Sequence, residues 1–242
     1  MKKLFLFINL LFFSISFSQD FKQDQRIWLA YSGFFKVSNH WSFQAEAQFR
    51  MDNQLQRNQQ NLFRVGALYA ITSKKNLAAG YALVNTFSNS LEEYFKENRL
   101  WEQFQYSKKW HNDENLFLHR FRLEQRWVEK KARVDNEIKN VATNYQNRLR
   151  YLNRNLFHLC NFNSENEELY AIIQDEVFFT LGENSINTKF IDQNRFLIGL
   201  GLNFKNNTRF ELGYLNHYVT SSSTTDVMHH TISISVSQNL AL

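Results

Sequence analysis

The segment from Leu116 to Trp127 alternates, from Arg120 onward, almost strictly between charged positions and mostly apolar ones. The charged residues are Arg120, Arg122, Glu124 and Arg126, and the residues between them and after them are Phe121, Leu123, Gln125 and Trp127. Successive side chains of a β-strand point to opposite faces, so this pattern predicts a strand with one charged and one apolar face. Such a strand separates a wet space from an apolar one. The wet space is bulk water in a soluble sandwich, or the lumen in a membrane barrel.

The same period of two recurs along the chain and predicts about eleven strands. Alternation is clear at 41–50, 63–71, 195–204, 209–218 and 228–237, and further strands are expected at 26–36, 77–87, 99–108, 145–161 and 169–180. Many of these runs are longer than the usual globular strand of about five or six residues. Their lengths match the roughly nine to eleven residues of a strand that crosses a bilayer. The pattern therefore predicts an all-β fold, a closed antiparallel transmembrane (outer-membrane) β-barrel of about 10–12 strands.

The polar connections between these strands alternate between short and long. Short turns are expected at 38–39, 73–76, 111–114, 163–166 and 205–207, and longer loops at 52–60, 88–94, 129–142, 182–189 and 221–226. Short turns at one rim and long loops at the other are typical of outer-membrane barrels. The segment from Glu129 to Ala142 is charged, which predicts a solvated loop with no role that the sequence identifies.

The strand number conflicts with the even count that is normal for single-chain bacterial barrels. Ten or twelve strands would follow if a strand lay near Phe21 to Gln25, or if Tyr145 to Asn161 were two strands with a turn at Asn153 to Asn155. The run from Arg99 to Lys108 also alternates poorly, because Leu100, Phe104 and Tyr106 share a face with Glu102. A β-bulge near Trp101 would restore its phase.

The N-terminus has the pattern of a secretory signal peptide, predicted to cover residues 1–18. Lys2 and Lys3 precede an apolar run from Leu4 to Phe13, and Ser16-Phe17-Ser18 forms a small-x-small cleavage site. That run is too short to span a membrane as a helix. We therefore expect export, with residues 19–242 forming one barrel domain in the outer membrane. The single cysteine, Cys160, cannot form an intramolecular disulfide.

Composition and charge narrow the function further. Aromatic residues make up 16% of the chain, which suits a barrel with aromatic girdles at the two membrane interfaces. The five tryptophans are expected in these girdles: Trp28, Trp41, Trp101, Trp110 and Trp127. The formal charge of +5 is spread along the chain. Nucleic-acid binding usually needs a concentrated basic patch, so no nucleic-acid partner is expected.

Several strand motifs resemble a known exported family. They are Leu100-Trp101-Glu102-Gln103, the segment from His119 to Arg126, Val65-Gly66-Ala67-Leu68-Tyr69 and Ala79-Gly80-Tyr81-Ala82. Together these resemble the family called domain of unknown function 2490, and the likeness runs over roughly residues 26–240. The resemblance implies an outer-membrane barrel from Bacteroidota. It brings no activity and no cofactor.

The charged faces of the predicted strands would line the lumen. The lumen-facing charged residues are Arg50, Arg64, Arg120, Arg122, Glu124, Arg126, Arg148, Arg150, Arg195, Arg209 and Glu211. Arginines outnumber acids in this set, and excess positive charge in a narrow space favours the entry of anions. One hypothesis is therefore a small, passive, porin-like pore with small anionic solutes as partners. The other is a structural barrel in which arginines and glutamates pair across strands. Either would have outer-membrane lipid and the barrel-insertion machinery as partners.

A lipid-modifying enzyme is the alternative of a different class. His217 and His229 are expected to face the lumen on neighbouring strands, with Ser233 and Ser235 nearby. A hydrolase or acyltransferase would need a base within hydrogen-bond reach of a hydroxyl, and the spacing does not indicate one. A metal site is not expected, because no Cys or carboxylate cluster accompanies the two histidines. The sequence therefore favours a protein that is not an enzyme and has no cofactor.

Overall fold

The computed structural model describes residues 22–52, 56–112, 114–162, 167–182, 186–221 and 225–241. The predicted signal peptide lies outside these residues. Eleven strands occupy the described ranges: β1 (Lys22–Lys36), β2 (Trp41–Asp52), β3 (Arg57–Thr72), β4 (Lys75–Ser88), β5 (Glu93–Trp110), β6 (Asn115–Val134), β7 (Glu137–Asn161), β8 (Glu168–Leu181), β9 (Ile191–Asn203), β10 (Thr208–Val219) and β11 (Val227–Ala241). These ranges contain no helix that is long and apolar enough to cross a membrane.

The strands form one closed barrel in which each strand pairs with its neighbours in sequence. Every pair of consecutive strands is antiparallel, whereas β1 and β11 close the barrel in parallel, from Lys22 opposite Val227 to Lys36 opposite Ala241. The closed all-β barrel of about 10–12 strands is confirmed, and the strand number is eleven rather than an even ten or twelve. An odd number of strands that reverse direction at every turn leaves the first and last pointing the same way, so only a parallel pair can close the barrel.

Two arrangements would have made the strand number even: an extra strand near Phe21 to Gln25, or a turn within Tyr145 to Asn161. Neither is present in the described residues. Lys22 to Gln25 belong to β1, and Tyr145 to Asn161 belong to the uninterrupted strand β7. β7 is continuous because its residues pair with β6 on one side and with β8 on the other through Asn153 to Asn155.

The connections define two rims. Among the described residues, the turn rim carries 37–40, 73–74, 111–112, 114, 162, 167 and 204–207, and the loop rim carries 56, 89–92, 135–136, 182, 186–190, 220–221 and 225–226. β1 starts at the loop rim, and β11 ends at the turn rim.

The segment from Glu129 to Ala142 is a β-hairpin, not the predicted loop. β6 and β7 continue as a pair to Val134 and Glu137, joined by Asp135 and Asn136. Both turn residues have positive φ, 52° and 63°, as a tight two-residue hairpin turn requires. The charged residues of this segment lie where β6 and β7 pair only with each other, beyond the last residues that pair with β5 and β8.

The barrel is apolar outside and charged inside, the reverse of a soluble protein. Large apolar side chains such as Phe43, Val65, Leu100, Ile198 and Ile232 remain 49–55% exposed on the outer face. The buried residues include many arginines, glutamates and glutamines of the inner face. This distribution is that of barrels whose outer face meets lipid.

Two of the five tryptophans lie inside the barrel rather than in a girdle. Trp41 and Trp110 are exposed, but Trp28 and Trp101 are buried, with Trp101 only 1% exposed. Gly66 and Gly80 make room for Trp101, since a Cβ on Gly66 would lie 2.4 Å from its indole ring. The prediction of an interfacial position is therefore wrong for Trp28 and Trp101.

The predicted bulge near Trp101 is also wrong. β5 pairs with β4 and β6 in an unbroken register. Trp101 and Gln103 therefore point inward, while Glu102 is exposed on the outer face next to Leu100. Packing of the indole against the two glycines sets the phase of β5, although it places a carboxylate on the apolar side.

Candidate functional site

The inner face brings together the charged residues that strand alternation predicts. Eight of the predicted lumen residues are buried in the barrel: Arg50, Arg64, Arg122, Glu124, Arg126, Arg148, Arg150 and Arg195. Arg120, Arg209 and Glu211 are half-buried on the same faces. Inward-pointing residues on neighbouring strands lie side by side, so these charges form one interior set.

Two carboxylates form the centre of the network. Glu124 pairs with Arg148 and Arg150, each at 2.6 Å. Glu176 pairs with Arg120 at 2.7 Å and with Arg150 at 2.8 Å. Arg150 bridges the two carboxylates, so β6, β7 and β8 are linked by one chain of charge-assisted hydrogen bonds.

Further ion pairs lie toward each rim. Glu97 pairs with Arg99 and, at 2.5 Å, with Arg126. Glu46 pairs with Arg64 at 2.7 Å. On the turn-rim side, Arg154 and Glu211 pair at 2.6 Å. The arginines in these pairs each contact a carboxylate, whereas some other lumen arginines of the described residues do not.

Sequence reasoning missed Glu97, Arg99 and Asp192 as members of this set. Glu97 and Arg99 were missed because the sequence does not show which residues of β5 face inward. Asp192 pairs with Arg148 at 3.2 Å from within an irregularity in the β8–β9 pairing. Phe178 lies opposite Gln193, and Phe179 lies opposite Ile191, which leaves Asp192 as the extra residue. A simple period of two has no signal for such an insertion.

An internal cavity of about 360 Å³ follows the inner wall. Its lining contains nine arginines, Arg50, Arg64, Arg99, Arg120, Arg126, Arg148, Arg150, Arg154 and Arg195, but three carboxylates, Glu46, Glu176 and Glu211. The cavity extends from Phe34, near the turn-rim end of β1, to Gln60, near the loop-rim end of β3. Three further carboxylates, Glu97, Glu124 and Asp192, pair with lining arginines although they do not line the cavity themselves. The wall therefore keeps a net positive charge, with nine arginines against six carboxylates in all.

The cavity is lined by residues from every described strand except β4. β1, β10 and β11 contribute small residues to the lining, including Ala30, Gly213, Ser233 and Ser235. Beside β4 the interior is filled by Trp101, which packs with Ala78 and Ala82.

Two arginines stack on one indole at the loop-rim end of the cavity. The guanidinium carbons of Arg50 and Arg195 are 4.1 and 4.9 Å from the ring centroid of Trp28. Such cation–π stacking fixes the orientation of both guanidinium groups. Within the described ranges, Arg50 forms no ion pair, and its hydrogen bonds go to Gln48 and Gln60. Arg195 has its nearest carboxylate, Glu176, at 3.8 Å.

The predicted histidine pair is present, but its hydrogen bonds are not those of a nucleophile and its base. His217 and His229 lie directly opposite each other with ring centroids 5.3 Å apart. His217 Nε2 contacts Gln193 Oε1 at 3.1 Å, and Ser235 donates to Glu211 at 3.4 Å. Among the described side chains, neither histidine forms a hydrogen bond with Ser233 or Ser235. The part of the chain that the structure covers also contains no group of three potential metal ligands.

Comparison with known proteins identifies a family without an assigned activity. No curated protein matches the sequence significantly. The family described as protein of unknown function (DUF2490) matches residues 25–228, from β1 into the start of β11. Because this match covers most of the barrel, the chain belongs to the DUF2490 family.

Proposed function

We propose that this protein is an outer-membrane barrel whose lumen passes small anions in preference to cations. The observation that carries the proposal is the net positive cavity wall, with nine arginines against six carboxylates. Fixed positive charge in an enclosed space raises the local concentration of anions and lowers that of cations. In this proposal the protein is not an enzyme, and its partners are lipid, the insertion machinery and small anionic solutes.

The outer face supports the proposed membrane location. Every strand has at least 12 residues, and a tilted strand needs about nine to eleven to cross a bilayer. Exposed aromatic and aliphatic side chains surround the barrel, including Tyr31, Phe63, Tyr81 and Leu212. We assign the loop rim to the outside of the cell, because the longer connections of outer-membrane barrels are extracellular.

The arrangement of the lumen supports a narrow passage rather than a wide channel. Arg148, Arg150 and Arg195 also stack on Phe178, whose ring is fully buried. These contacts hold the arginine side chains against the wall beside the cavity. In this proposal small ions pass along the arginines that line the cavity, while Trp101 and the β4 side chains pack beside it.

The test is the conductance of the refolded protein in planar bilayers, with selectivity measured from the reversal potential in a salt gradient. We expect small channels with anion preference. Arg120→Gln removes a charge from the cavity wall and should reduce that preference. Arg122→Gln is the matched control, because Arg122 lies on the same strand but packs against Trp101, outside the cavity lining.

Two results would overturn the pore. One is the absence of conductance in a correctly folded barrel, shown by migration that changes on heating in detergent gels. The other is cation preference in the unaltered protein.

A structural barrel with a sealed lumen is the second candidate. The observation that favours it is the continuous ion-pair network from Arg120 through Glu176 and Arg150 to Glu124. Such a network fixes strand register. A folded barrel without conductance, together with envelope sensitivity to detergents when the protein is deleted, would support this candidate.

A further inference from the structure

We propose that the Trp28 stack is a binding site for a small oxyanion such as phosphate or a carboxylate. The stack consists of Trp28, Arg50 and Arg195, and His217 and Thr231 lie beside it on the inner wall. Its use in transport rests on the proposed pore, but binding itself does not require conduction.

Three donors at this site have no acceptor in the protein. Trp28 Nε1, Arg50 Nε and Arg195 Nε are buried and form no hydrogen bond with described atoms. An indole N–H and a guanidinium N–H can only donate. Leaving buried donors unsatisfied costs free energy. An acceptor that binds here from outside the chain would recover that free energy.

Two neighbouring side chains also lack partners at this place. The His217 Nδ1 and Thr231 Oγ1 atoms are buried without a hydrogen bond among the described residues. The His217 ring lies edge-on to Trp28 with centroids 5.2 Å apart. The site therefore combines N–H donors from three strands, β1, β2 and β9, with the Thr231 hydroxyl of β11 beside them. His217 Nε2 donates to Gln193, so Nδ1 of the neutral ring is an acceptor, and a protonated oxygen of the ligand can donate to it.

Charge favours an anion over water as the missing acceptor. Arg50 is held by two glutamine oxygens rather than by a carboxylate. Arg195 donates to Gln193 at 3.0 Å, while Glu176 is 3.8 Å away and pairs more closely with Arg120 and Arg150. Two guanidinium groups thus keep most of their positive charge beside the cavity. Planar guanidinium groups match the geometry of carboxylate and phosphate oxygens.

The amide side chains hold this site without neutralising it. Gln193 contacts both Arg195 and His217, and Gln48 contacts Arg50 at 2.7 Å. Both guanidinium groups are thus held on the same indole by amide partners rather than by an acid. Their charge is already in place at the cavity wall, and a shift of the Arg50 or Arg195 side chain brings its buried N–H to the ligand.

Trp101 provides an internal control. Its indole nitrogen is also buried without a partner, and Arg122 lies 4.7 Å from its ring. However, neither residue lines the cavity, and Trp101 is enclosed by Gly66, Gly80 and β4. A soluble anion should therefore reach Trp28 and not Trp101.

The experiment is a titration of the refolded, ¹⁵N-labelled protein in detergent micelles with inorganic phosphate, followed on the indole N–H resonances. Ionic strength is kept constant with chloride. The resonance that disappears in Trp28→Phe should shift and saturate, while the Trp101 resonance should stay. Arg50→Gln and Arg195→Gln should each weaken binding about tenfold, as expected for the loss of a charged hydrogen bond. Arg154→Gln removes a charge from the same cavity away from the stack, and binding should change by much less.

The possible outcomes separate the site from the pore. A saturable Trp28 shift with phosphate or acetate, but not with chloride, supports the site and shows which oxyanion it accepts. No saturable shift, equal shifts with chloride, or equal affinity in Arg50→Gln and Arg195→Gln would overturn it. A saturable shift in a barrel that does not conduct would reject the pore alone. Anion conductance without the shift would reject the site alone.

Discussion

Glu124 accepts a 2.6 Å hydrogen bond from Arg148 on the neighbouring strand, and both side chains are almost fully buried. The other Glu124 oxygen pairs with Arg150 at 2.6 Å. Glu124→Gln removes the charge that both guanidinium groups face. Breaking a buried ion pair from one side costs about 3–5 kcal/mol, and we expect a loss of this size in the free energy of unfolding. Urea unfolding in lipid vesicles, followed by tryptophan fluorescence, measures it.

The matched control for this prediction is Glu137→Gln at the loop rim. Glu137 pairs with Lys139 at 3.2 Å, but its side chain is 73% exposed. Exposed pairs contribute at most about 1 kcal/mol. Equal effects of the two substitutions would show that the lumen network does not stabilise the barrel.

The contact between Gly66 and Trp101 predicts that the effects of Gly66→Ala and Trp101→Phe on the free energy of unfolding are not additive. A Cβ at residue 66 would lie 2.4 Å from the Trp101 ring, so Gly66→Ala should destabilise the barrel by about 1–3 kcal/mol through overpacking. Trp101→Phe removes the clashing ring atoms. The double variant should therefore lose less stability than the sum of the single variants.

Gly33→Ala is the control for crowding in a strand, since its Cβ would meet the Phe35 ring at 3.2 Å and the Tyr31 ring at 3.9 Å, without the contacts below 3 Å found at residue 66. It should cost less than Gly66→Ala. Strict additivity of Gly66→Ala and Trp101→Phe in denaturant unfolding would contradict the packing argument.

The parallel pairing of β1 with β11 predicts which sites share a side of the membrane. Lys22 and Asn136 both lie at the loop rim, whereas Asn206 lies at the turn rim. In a Cys160→Ser background, cysteine at residue 22 or 136 should react with a membrane-impermeant maleimide from the same side. Cysteine at residue 206 should react from the opposite side.

This labelling pattern tests the odd strand number directly. With an even number of strands, the start of β1 would lie at the same rim as the end of the last strand. Labelling of residue 206 from the same side as residue 22 would therefore refute the parallel closure.

The hydrogen bonds of Asp226 predict that the stability of its loop at the loop rim depends on pH. Burial alone would raise the pKa of this carboxyl, but hydrogen bonds from Lys189, Tyr218 and the Ser221 backbone N–H outweigh burial and hold the pKa below its usual value. A lowered pKa means that the carboxylate stabilises the loop at neutral pH. This contribution is lost as the pH falls through the lowered pKa.

The measurement is the amide resonance of Ser221 as a function of pH, because this N–H donates to Asp226 at 2.8 Å. It should change with a midpoint below that of an ordinary aspartate. Asp226→Asn should abolish the change. A midpoint at or above the ordinary value would contradict the hydrogen-bond arrangement.

Alternation along the strands was sufficient to predict the barrel and most of the lumen charges. Arg120, Arg122 and Glu124 show why, because a charged face and an apolar face on one long strand fit few other structures. The strand number could not be predicted in this way. About eleven candidate strands could be identified from the alternation. The even number that is usual in other barrels nevertheless led to an expectation of ten or twelve.

The inward position of Trp101 was missed because the local pattern does not fix the phase of β5. Leu100, Glu102 and Phe104 on one face and Trp101 and Gln103 on the other are equally mixed. The deciding contacts come from Gly66 and Gly80 on β3 and β4. Likewise, the stacking of Arg50 and Arg195 on Trp28 joins β2, β9 and β1, and depends on the curvature that closes the barrel.

The parallel seam also limits how the chain can be rearranged. β1 has 15 residues, and at about 3.3 Å per residue its two ends are separated by about 50 Å. The start of β1 and the end of β11 are therefore a full strand length apart, on opposite sides of the proposed membrane. A short linker cannot join them. Circular permutation, which an even-stranded barrel tolerates through a brief loop, would here require a connector that passes through the lumen.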